Sequence, residues 1–231
     1  MLATNRIDAS YGPRRVLSAC DVAVSPGTIT ALFGHNGAGK TSFLRVIAGL
    51  KQPDSGTVEL DGTAVNRLSA AKRARAGLAF VPDGASGVFP NLTVDENLAM
   101  ASLASRGDNG QGRDAVLETF PILREKAGQE VSRLSGGQRQ MVALAIAMAR
   151  QPQYMLLDEP SIGLAPRVVE QVMQSVKHVA DTLGIGVLIV EQDIHATLTV
   201  ADHVQIMKGG RIVLSRPAQD FPSTEALWEF F

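Results

Sequence analysis

The stretch GHNGAGKT, residues 34–41, constrains the fold of this chain more than any other. It matches the pattern GxxxxGK[ST] and lies between an apolar run typical of a buried strand, TITALFG at 28–34, and a helical pattern, TSFLRVIAGL at 41–50. From average residue usage, four such fixed positions should occur about once in a hundred chains of this length, and the flanking strand and helix lower that frequency further. The stretch therefore predicts a phosphate-binding loop rather than an ordinary glycine turn.

The residue types in this loop suit a polyphosphate. Gly34, Gly37 and Gly39 let the backbone wrap closely round such a group, so that amide N–H groups point inward. The N-terminus of the following helix adds its positive end. We expect Lys40 to reach the β- and γ-phosphates and the Thr41 hydroxyl to ligate Mg²⁺. The predicted binding set at the loop is Gly34, His35, Asn36, Gly37, Ala38, Gly39, Lys40, Thr41 and Ser42.

Two acidic residues end another apolar run, YMLLDEP at 154–160. Ligands of parallel sheets bind at the carboxyl ends of the strands. We therefore expect Asp158 to hold Mg²⁺ through water and Glu159 to polarise the water that attacks the γ-phosphate. Alone, the run is more often a strand that ends in two solvated acids. The phosphate loop upstream favours the functional interpretation.

Composition excludes several classes of protein. The net charge is −1 and the pI is near 6.4, which gives no electrostatic reason to expect nucleic acid or anionic lipid as a partner. The one cysteine, Cys20, cannot form an internal disulfide, which is typical of a reducing cytoplasm. The start, MLATNRIDAS, lacks a secretory pattern, and the apolar run MVALAIAMA at 141–149 is about half of what a bilayer needs. We expect a chain that spans no membrane but can dock to a membrane partner.

Short apolar runs alternate with helical patterns, which favours an α/β core. Two antiparallel additions are expected, at VELDG (58–62) and RIDASYG (6–12). Four runs predict buried parallel strands: TITALFG (28–34), GLAFVP (77–82), YMLLDEP (154–160) and GVLIVE (186–191).

Residues 87 to 150 contain no strand candidate and several helix starts, including a capping box from Thr93 to Glu96. The glycine-rich stretch RGDNGQGR, 106–113, predicts an exposed loop. We therefore expect residues 1–86 and 151–231 to form a nucleotide-binding α/β core, and residues 87–150 to form an α-helical subdomain.

A third motif, LSGGQRQ at 134–140, completes a pattern that resembles a known family. A phosphate loop, then LSGGQ, then LLDEP, in this order and at this spacing, is similar to the ATP-binding-cassette ATPases, and the resemblance covers essentially the whole chain. Ser135 and Gln138 also form a capping box, so the motif alone is equally an ordinary helix start. The resemblance implies an α/β fold with a RecA-like P-loop core, a mainly parallel sheet, antiparallel β additions and an inserted α-helical signature subdomain.

The resemblance also implies an ATP hydrolase with ATP and Mg²⁺ as cofactors. In the family two subunits sandwich two ATP molecules, and the signature of one closes on the γ-phosphate held by the other. Tyr11 lies where the family places an aromatic that stacks on adenine; without the family, a tyrosine in a strand-end turn is about as compatible with packing. The signature residues expected to contact the partner's ATP are Ser135, Gly136, Gly137 and Gln138.

Three positions depart from the family pattern. Asp83 replaces the usual Gln that links Mg²⁺ to the transporter interface, and its shorter side chain is expected to need a bridging water. Ala165, in SIGLAP at 161–166, replaces the usual Asp of a loop that touches the partner subunit.

Gln192 stands where most members carry a histidine that contacts the γ-phosphate, and we include it among the catalytic residues with Glu159 and Lys40. Its neighbours, Glu191 and Asp193, are expected to point elsewhere, and His195 to be a surface or packing residue at a helix start.

Two segments resemble ATPases that serve branched-chain amino acid importers. The first is VFPNLTVDENL at 88–98, and the second is Glu191-Gln192-Asp193, which is close to the Glu-Gln-Asn of that subfamily. Pro82-Asp83-Gly84-Ala85 lacks the Arg of the subfamily's Pro-Glu-Gly-Arg. Urea and amide importers share much of the pattern, and a soluble cassette ATPase of DNA repair or translation is the alternative from another class. No heptads separate Lys40 from the signature, which disfavours the repair type.

As an importer subunit, the chain is expected to act at the cytoplasmic face of the cell membrane as a peripheral protein. The implied partners are a second ATPase subunit, identical or a sibling, and membrane permease subunits that contact residues near 83–98. An extracytoplasmic solute-binding protein is an indirect partner, and no nucleic acid is expected. The presence of Glu159 disfavours an ATP-binding module that does not hydrolyse.

Overall fold

A computed structural model describes residues 1–84, 86–102, 111–221, 224, 227 and 230. Within these residues the chain forms eleven strands and eight α-helices. The strands are β1 (Leu2–Tyr11), β2 (Arg14–Cys20), β3 (Ala23–Val24), β4 (Ile29–Phe33), β5 (Ser55–Leu60), β6 (Thr63–Ala64), β7 (Leu78–Val81), β8 (Tyr154–Asp158), β9 (Gly186–Val190), β10 (His203–Lys208) and β11 (Arg211–Pro217). The helices are α1 (Lys40–Ala48), α2 (Ala70–Arg75), α3 (Val94–Ser102), α4 (Gln111–Thr119), α5 (Pro121–Glu125), α6 (Gly136–Ala149), α7 (Pro166–Leu183) and α8 (Ile194–Leu198).

The larger sheet has the strand order β11-β10-β4-β9-β8-β7, in which only β11 is antiparallel to its neighbour. Every residue of β4, β8 and β9 is buried, as expected for parallel strands covered on both faces. The four predicted parallel strands are confirmed. A fifth parallel strand, β10, was not predicted; it follows β9 and pairs in parallel with β4.

The smaller sheet is antiparallel and has the order β2-β1-β5-β6, with β3 paired to β1. The register of β1 and β5 places Leu2 opposite Leu60 and Thr4 opposite Val58. Both predicted antiparallel additions, at 6–12 and 58–62, belong to this pair of strands. The expected α/β fold with a mainly parallel sheet and antiparallel additions is therefore confirmed.

The described residues between 87 and 150 contain helices and only isolated bridges, such as Thr93 to Glu130. The predicted capping box is present at the start of α3, because Thr93 N donates to Glu96 Oε2 (2.7 Å) and Glu96 N donates to Thr93 Oγ1 (3.2 Å). The predicted loop at 106–113 was wrong for 111–113, which form the first turn of α4; residues 106–110 lie outside the described part of the chain. The helix α4 therefore includes Gly112, although glycine has a low helix propensity.

Each face of the parallel sheet carries its own hydrophobic cluster. Along β4, Ala31 and Phe33 belong to the cluster with the helices of 94–149, whereas Leu32 belongs to the cluster with α1 and the antiparallel sheet. This alternation follows from successive strand side chains pointing to opposite faces. The helices of 94–149 thus share a core with the sheet, and their separation as a subdomain stays a prediction. No helix in the described ranges is long and apolar enough to cross a membrane.

Arg73, in α2, is the largest fully buried side chain of the described residues. Its Nη1 donates to the carbonyl oxygens of Val46 (2.8 Å) and Ile47 (2.7 Å) in the last turn of α1. Carbonyls at a helix C-terminus lack intrahelical donors and carry the negative end of the helix dipole, so they suit a cation. Arg73 therefore fixes the far end of the helix that begins at the phosphate loop.

Candidate functional site

The candidate site lies at the carboxyl edge of the parallel sheet, where β4 passes through the loop 34–39 into α1. Gly34 and Gly39 have φ angles of 155° and 111°. A Cβ at Gly34 would lie 2.3 Å from the Met207 carbonyl oxygen, and one at Gly39 would lie 2.8 Å from the Val16 carbonyl oxygen. Both distances are shorter than any Cβ tolerates, so the close approach of β2 and β10 requires glycine at these two positions.

Lys40 is buried and directed back onto the loop. Its Nζ donates to the carbonyl oxygens of Gly34 (2.6 Å) and His35 (3.3 Å) and lies 3.9 Å from Glu159 Oε1. Burial lowers the pKa of Lys40, and the nearby carboxylate of Glu159 opposes that effect. A desolvated cation held by neutral carbonyls is suited to an anionic ligand that enters the loop.

A cleft of about 420 Å³ brings Tyr11 together with the loop residues and Glu159. Tyr11 is 45% exposed, and Lys51 Nζ lies 4.7 Å from its ring centroid. Two basic side chains at the start of β2, Arg14 and Arg15, also line the cleft, although the sequence offered no signal for them. Of the other predicted loop residues, Asn36, Gly37, Gly39, Thr41 and Ser42 line the cleft, His35 is exposed and Ala38 is buried.

Thr41 and Asp158 meet at the floor of the site. Thr41 Oγ1 donates to Asp158 Oδ1 at 3.1 Å, and Asp158 is only 2% exposed. Burial raises the pKa of Asp158, the hydrogen bond from Thr41 lowers it, and the charges of Asp83 and Glu159 raise it further. A buried carboxylate beside a hydroxyl offers the oxygen ligands that Mg²⁺ prefers, and a cation would relieve the cost of burying the charge. These residues therefore fit a magnesium ion.

Asp83 follows β7 and lies in the same groove as Asp158. Its charge acts on Asp158, which is consistent with the predicted place of Asp83 near the metal. No group of three or more His, Cys, Asp or Glu side chains with metal-site geometry occurs in the described ranges. A direct ligand role for Asp83 stays a prediction.

Glu159 and Gln192 are in contact because β8 and β9 are neighbours and both end at this edge. Gln192 Nε2 donates to Glu159 Oε2 at 2.7 Å. Asp193 points away and caps α8, where its Oδ1 accepts from Ala196 N (3.2 Å). His195 is exposed in the first turn of α8. The structure thus places Gln192, and not His195, beside the predicted catalytic carboxylate.

Glu191 was expected only to point away from Gln192, and its actual surroundings were missed. It is 1% exposed, and its Oε1 accepts from Ser161 N at 2.8 Å. Burial raises the pKa of Glu191, whereas hydrogen bonds from Ser161 and Gln192 lower it. An acidic residue directly after an apolar strand gives no sequence signal that separates such an anchor from a solvated side chain.

The signature motif forms the start of α6. Ser135 caps the helix, with Gln138 N donating to Ser135 Oγ (3.3 Å) and Ser135 N donating to Gln138 Oε1 (3.0 Å), so the predicted capping box is present. Ser135 and Gly136 are exposed. A Cβ at Gly137 would lie 2.2 Å from Val168 Cγ1, whereas one at Gly136 would lie 3.5 Å from the nearest side chain. The two glycines thus differ: Gly137 allows close packing against α7, and Gly136 leaves an open helix N-terminus.

Comparison with known proteins agrees with this geometry. The family described as ABC transporter matches residues 17–162. The chain is 37% identical to the high-affinity branched-chain amino acid transport ATP-binding protein BraG of Pseudomonas aeruginosa, over 93% of this chain and 91% of that protein. It is 34% identical to a probable branched-chain amino acid transport ATP-binding protein LivF of Archaeoglobus fulgidus, over 95% of this chain and 93% of that protein.

Solved structures show the same fold. An ATP-binding subunit of an ABC transporter superposes with a TM-score of 0.86 at 22% identity, covering 100% of this chain and 98% of the other. A dimeric cassette, MJ0796, bound to ADP and Pi, gives a TM-score of 0.82 at 26% identity, covering 96% of this chain and 100% of the other. The family match extends over more than half of the chain, and the relatives cover nearly all of it. This chain therefore belongs to the ABC transporter family and is an ATP-binding-cassette ATPase.

Proposed function

We propose that the chain hydrolyses ATP to energise the import of a small polar solute, with branched-chain or other amino acids as the solute class. The proposal of ATP hydrolysis rests on one observation, that five side chains of the predicted site are in contact in pairs at one edge of the sheet. They are Lys40, Thr41, Asp158, Glu159 and Gln192. The similarity to BraG and LivF, both branched-chain amino acid transport ATP-binding proteins, supports amino acid import. The resemblance at 88–98 and at 191–193 supports the same subfamily.

In the proposed reaction ATP binds in the 420 Å³ cleft, with its adenine on Tyr11 and its phosphates in the loop. Lys40 exchanges its carbonyl partners for the β- and γ-phosphate oxygens, since a charged acceptor forms the stronger hydrogen bond. Thr41 and Asp158 would hold Mg²⁺, which would supply positive charge against the charge that develops on the phosphates.

Glu159 then orients the attacking water, and its hydrogen bond from Gln192 holds the carboxylate toward the cleft. Gln192 can donate a hydrogen bond but carries neither a positive charge nor a proton to transfer. General-base or positioning assistance of this kind contributes about 10²- to 10⁴-fold to the rate.

A second cassette completes the proposed site. The cleft is lined by the phosphate loop, Tyr11 and Glu159, and the signature residues of the same chain are not among its lining side chains. The helix N-terminus at Ser135 and Gly136 is exposed and suits an anion presented from outside. The MJ0796 cassette, which is dimeric with ADP and Pi bound, supports a sandwich of two cassettes.

A groove of about 830 Å³ supports docking to a membrane permease at the cytoplasmic face. It lies between the sheet core and the helices of 94–149, and its wall includes Asp83, Ser86, Gly87 and Phe89. Phe89 and Met100, which are 50% and 46% exposed, offer apolar contacts. The groove also contains Arg45 and Arg150, so a partner segment with both apolar and acidic side chains fits it. A solute-binding protein would act through the permease.

Sequence identity alone does not assign the solute. The lipopolysaccharide export ATP-binding protein LptB of Escherichia coli is 35% identical over 92% of this chain, close to the values for BraG and LivF. The test is mass spectrometry of the complex extracted from membranes, followed by uptake of labelled solutes by cells with and without the gene. We expect permease subunits, one or two kinds of ATPase subunit, and lost amino acid uptake. Purification without any membrane protein, or unchanged uptake of amino acids, would overturn the importer assignment.

A further inference from the structure

We propose that Glu191 is a positioning residue, whose buried carboxylate fixes the two segments that carry Glu159 and Gln192. This inference deepens the proposed function and rests on it. Glu191 does not line the nucleotide cleft, so it acts through the other two side chains rather than on the substrate.

The carboxylate of Glu191 connects the ends of two strands. Oε1 accepts from Ser161 N at 2.8 Å, and Oε2 accepts from Gln192 N at 3.1 Å. Ser161 belongs to the segment that follows β8, two residues after Glu159, and Gln192 is in the segment that follows β9. Ser161 is itself 8% exposed, so water does not readily replace either hydrogen bond.

These contacts constrain the backbone on both sides of Glu159. Glu159 has a φ of 46°, in the left-handed region that non-glycine residues rarely adopt. Its N–H donates to the Val190 carbonyl oxygen at 2.8 Å, and two residues later the Ser161 N–H donates to Glu191. A residue in this conformation persists only where its surroundings hold it. The two anchors therefore set the direction of the Glu159 side chain.

The Glu191 carboxylate also constrains Gln192, the residue that donates a hydrogen bond to Glu159. Because Glu191 Oε2 holds the N–H of Gln192, the side chain of Gln192 begins from a fixed backbone position. The distance of 2.7 Å between Gln192 Nε2 and Glu159 Oε2 then depends on one buried group that holds both segments. Small errors in such positions cost large factors in rate.

Packing alone does not account for an acid at position 191. The four preceding residues, Val187 to Val190, are apolar, and burying a carboxylate costs free energy that an apolar side chain would not. Hydrogen bonds to the carboxylate offset part of that cost, and those observed come from the segments at the ends of β8 and β9. The carboxylate thus suits a role in which two acceptor oxygens are needed at once.

The test compares steady-state ATP hydrolysis by the full-length parent and Glu191→Gln. The amide keeps the size of the side chain but offers one acceptor oxygen and sets an NH₂ group against the second N–H donor. We expect kcat to fall by about tenfold or more while KM for ATP stays within about twofold, because the cleft residues are unchanged. Asp193→Asn, an exposed acid two residues away, is the matched control and should leave kcat within about twofold.

A double-mutant cycle separates positioning from a general loss of structure. In the Glu159→Gln background, Glu191→Gln should lower the residual turnover by less than about twofold, since the group that it positions has lost its charge. If Glu191→Gln is unfolded at the assay temperature, Glu191→Asp is measured in its place, with kcat expected to fall at least about threefold at unchanged KM.

An unchanged kcat in the folded Glu191 variant, or a full additive loss in the Glu159→Gln background, would overturn the positioning role. A parent chain that neither binds nor hydrolyses ATP would instead overturn the proposed function. The two failures are therefore distinguished by the parent measurement alone.

Discussion

The side-chain amide of Gln192 donates a hydrogen bond to the carboxylate of Glu159, with 2.7 Å between Nε2 and Oε2. This contact joins the ends of β9 and β8, which are adjacent parallel strands. An amide can hold the carboxylate in place but cannot take up a proton or a positive charge at neutral pH. The contact therefore supports a hydrolytic site in which residue 192 orients the carboxylate and does not titrate.

Replacing Gln192 by Ala should lower ATP turnover by about fivefold or more. Among the described residues, Gln192 supplies the only side-chain hydrogen bond that Glu159 receives from the segment after β9, and the variant removes it. His195→Ala is the matched control and should leave turnover nearly unchanged, since His195 is exposed on α8. Both are measured as steady-state phosphate release. The opposite ranking would show that His195 has the sensor role.

The pH dependence of turnover should show no step from residue 192. We expect the parent to lack an inflection that Gln192→His introduces near the ordinary histidine pKa of about 6.5. The comparison is the ratio of kcat for the two proteins from about pH 5.5 to 8.5, which cancels steps that both share. A flat ratio, or an inflection in the parent that Gln192→Ala removes, would contradict the assignment.

Lys40→Ala should weaken ATP binding and turnover together. The ammonium is buried in the loop and held by the carbonyls of Gly34 and His35, so its loss removes a cation that the phosphates would otherwise contact. A charge-assisted hydrogen bond of this kind corresponds to about a tenfold to hundredfold loss of affinity by calorimetry. Lys72→Ala, on the exposed face of α2, serves as the control. Equal ATP affinity in the parent and Lys40→Ala would refute the phosphate-loop assignment.

The two signature glycines should respond differently to alanine. At Gly137 the new Cβ would meet Val168 Cγ1 at 2.2 Å, and a β-branched side chain in a helix has little freedom to move. We expect Gly137→Ala to destabilise the chain by about 1–3 kcal/mol in urea unfolding. Gly136→Ala has room and should be neutral or slightly stabilising.

Val168→Ala provides a check on the cause of that loss. If the clash with Val168 is responsible, the double variant Gly137→Ala/Val168→Ala should recover part of the stability lost by Gly137→Ala. Equal unfolding midpoints for Gly136→Ala and Gly137→Ala would show that the α6–α7 contact does not require glycine.

Much of the architecture followed from periodicity and from three motifs in order. The runs at 28–34, 77–82, 154–160 and 186–191 are continuously apolar, so their parallel strands were predictable. The strand β10 was missed because polar residues, His203 and Gln205, interrupt the apolar residues of its sequence, HVQIMK. Gln205 is nevertheless buried, and its Nε2 donates to the Asp21 carbonyl oxygen and to Ser215 Oγ. Such partners are set by tertiary contacts that no local pattern contains.

The site was predictable to the same extent. The sequence predicted that Lys40, Thr41, Asp158 and Glu159 lie together because both motifs follow strands of one parallel sheet, whose carboxyl ends share an edge. It gave no reason to expect Arg14 and Arg15 in the cleft or Glu191 as an anchor, since these depend on how β2 and the loop after β8 approach the site. It also could not show that Gly137 serves packing while Gly136 does not.

We propose that Glu159 is the carboxylate that activates water when ATP is bound between two cassettes. Turnover and sedimentation of Glu159→Gln in the presence of ATP and Mg²⁺ test this role. The amide keeps the size of the side chain and removes the charge that orients the water, so we expect turnover to fall by about a hundredfold or more while ATP binding persists and an ATP-bound dimer accumulates. Turnover within about threefold of the parent would show that Glu159 is not the catalytic carboxylate.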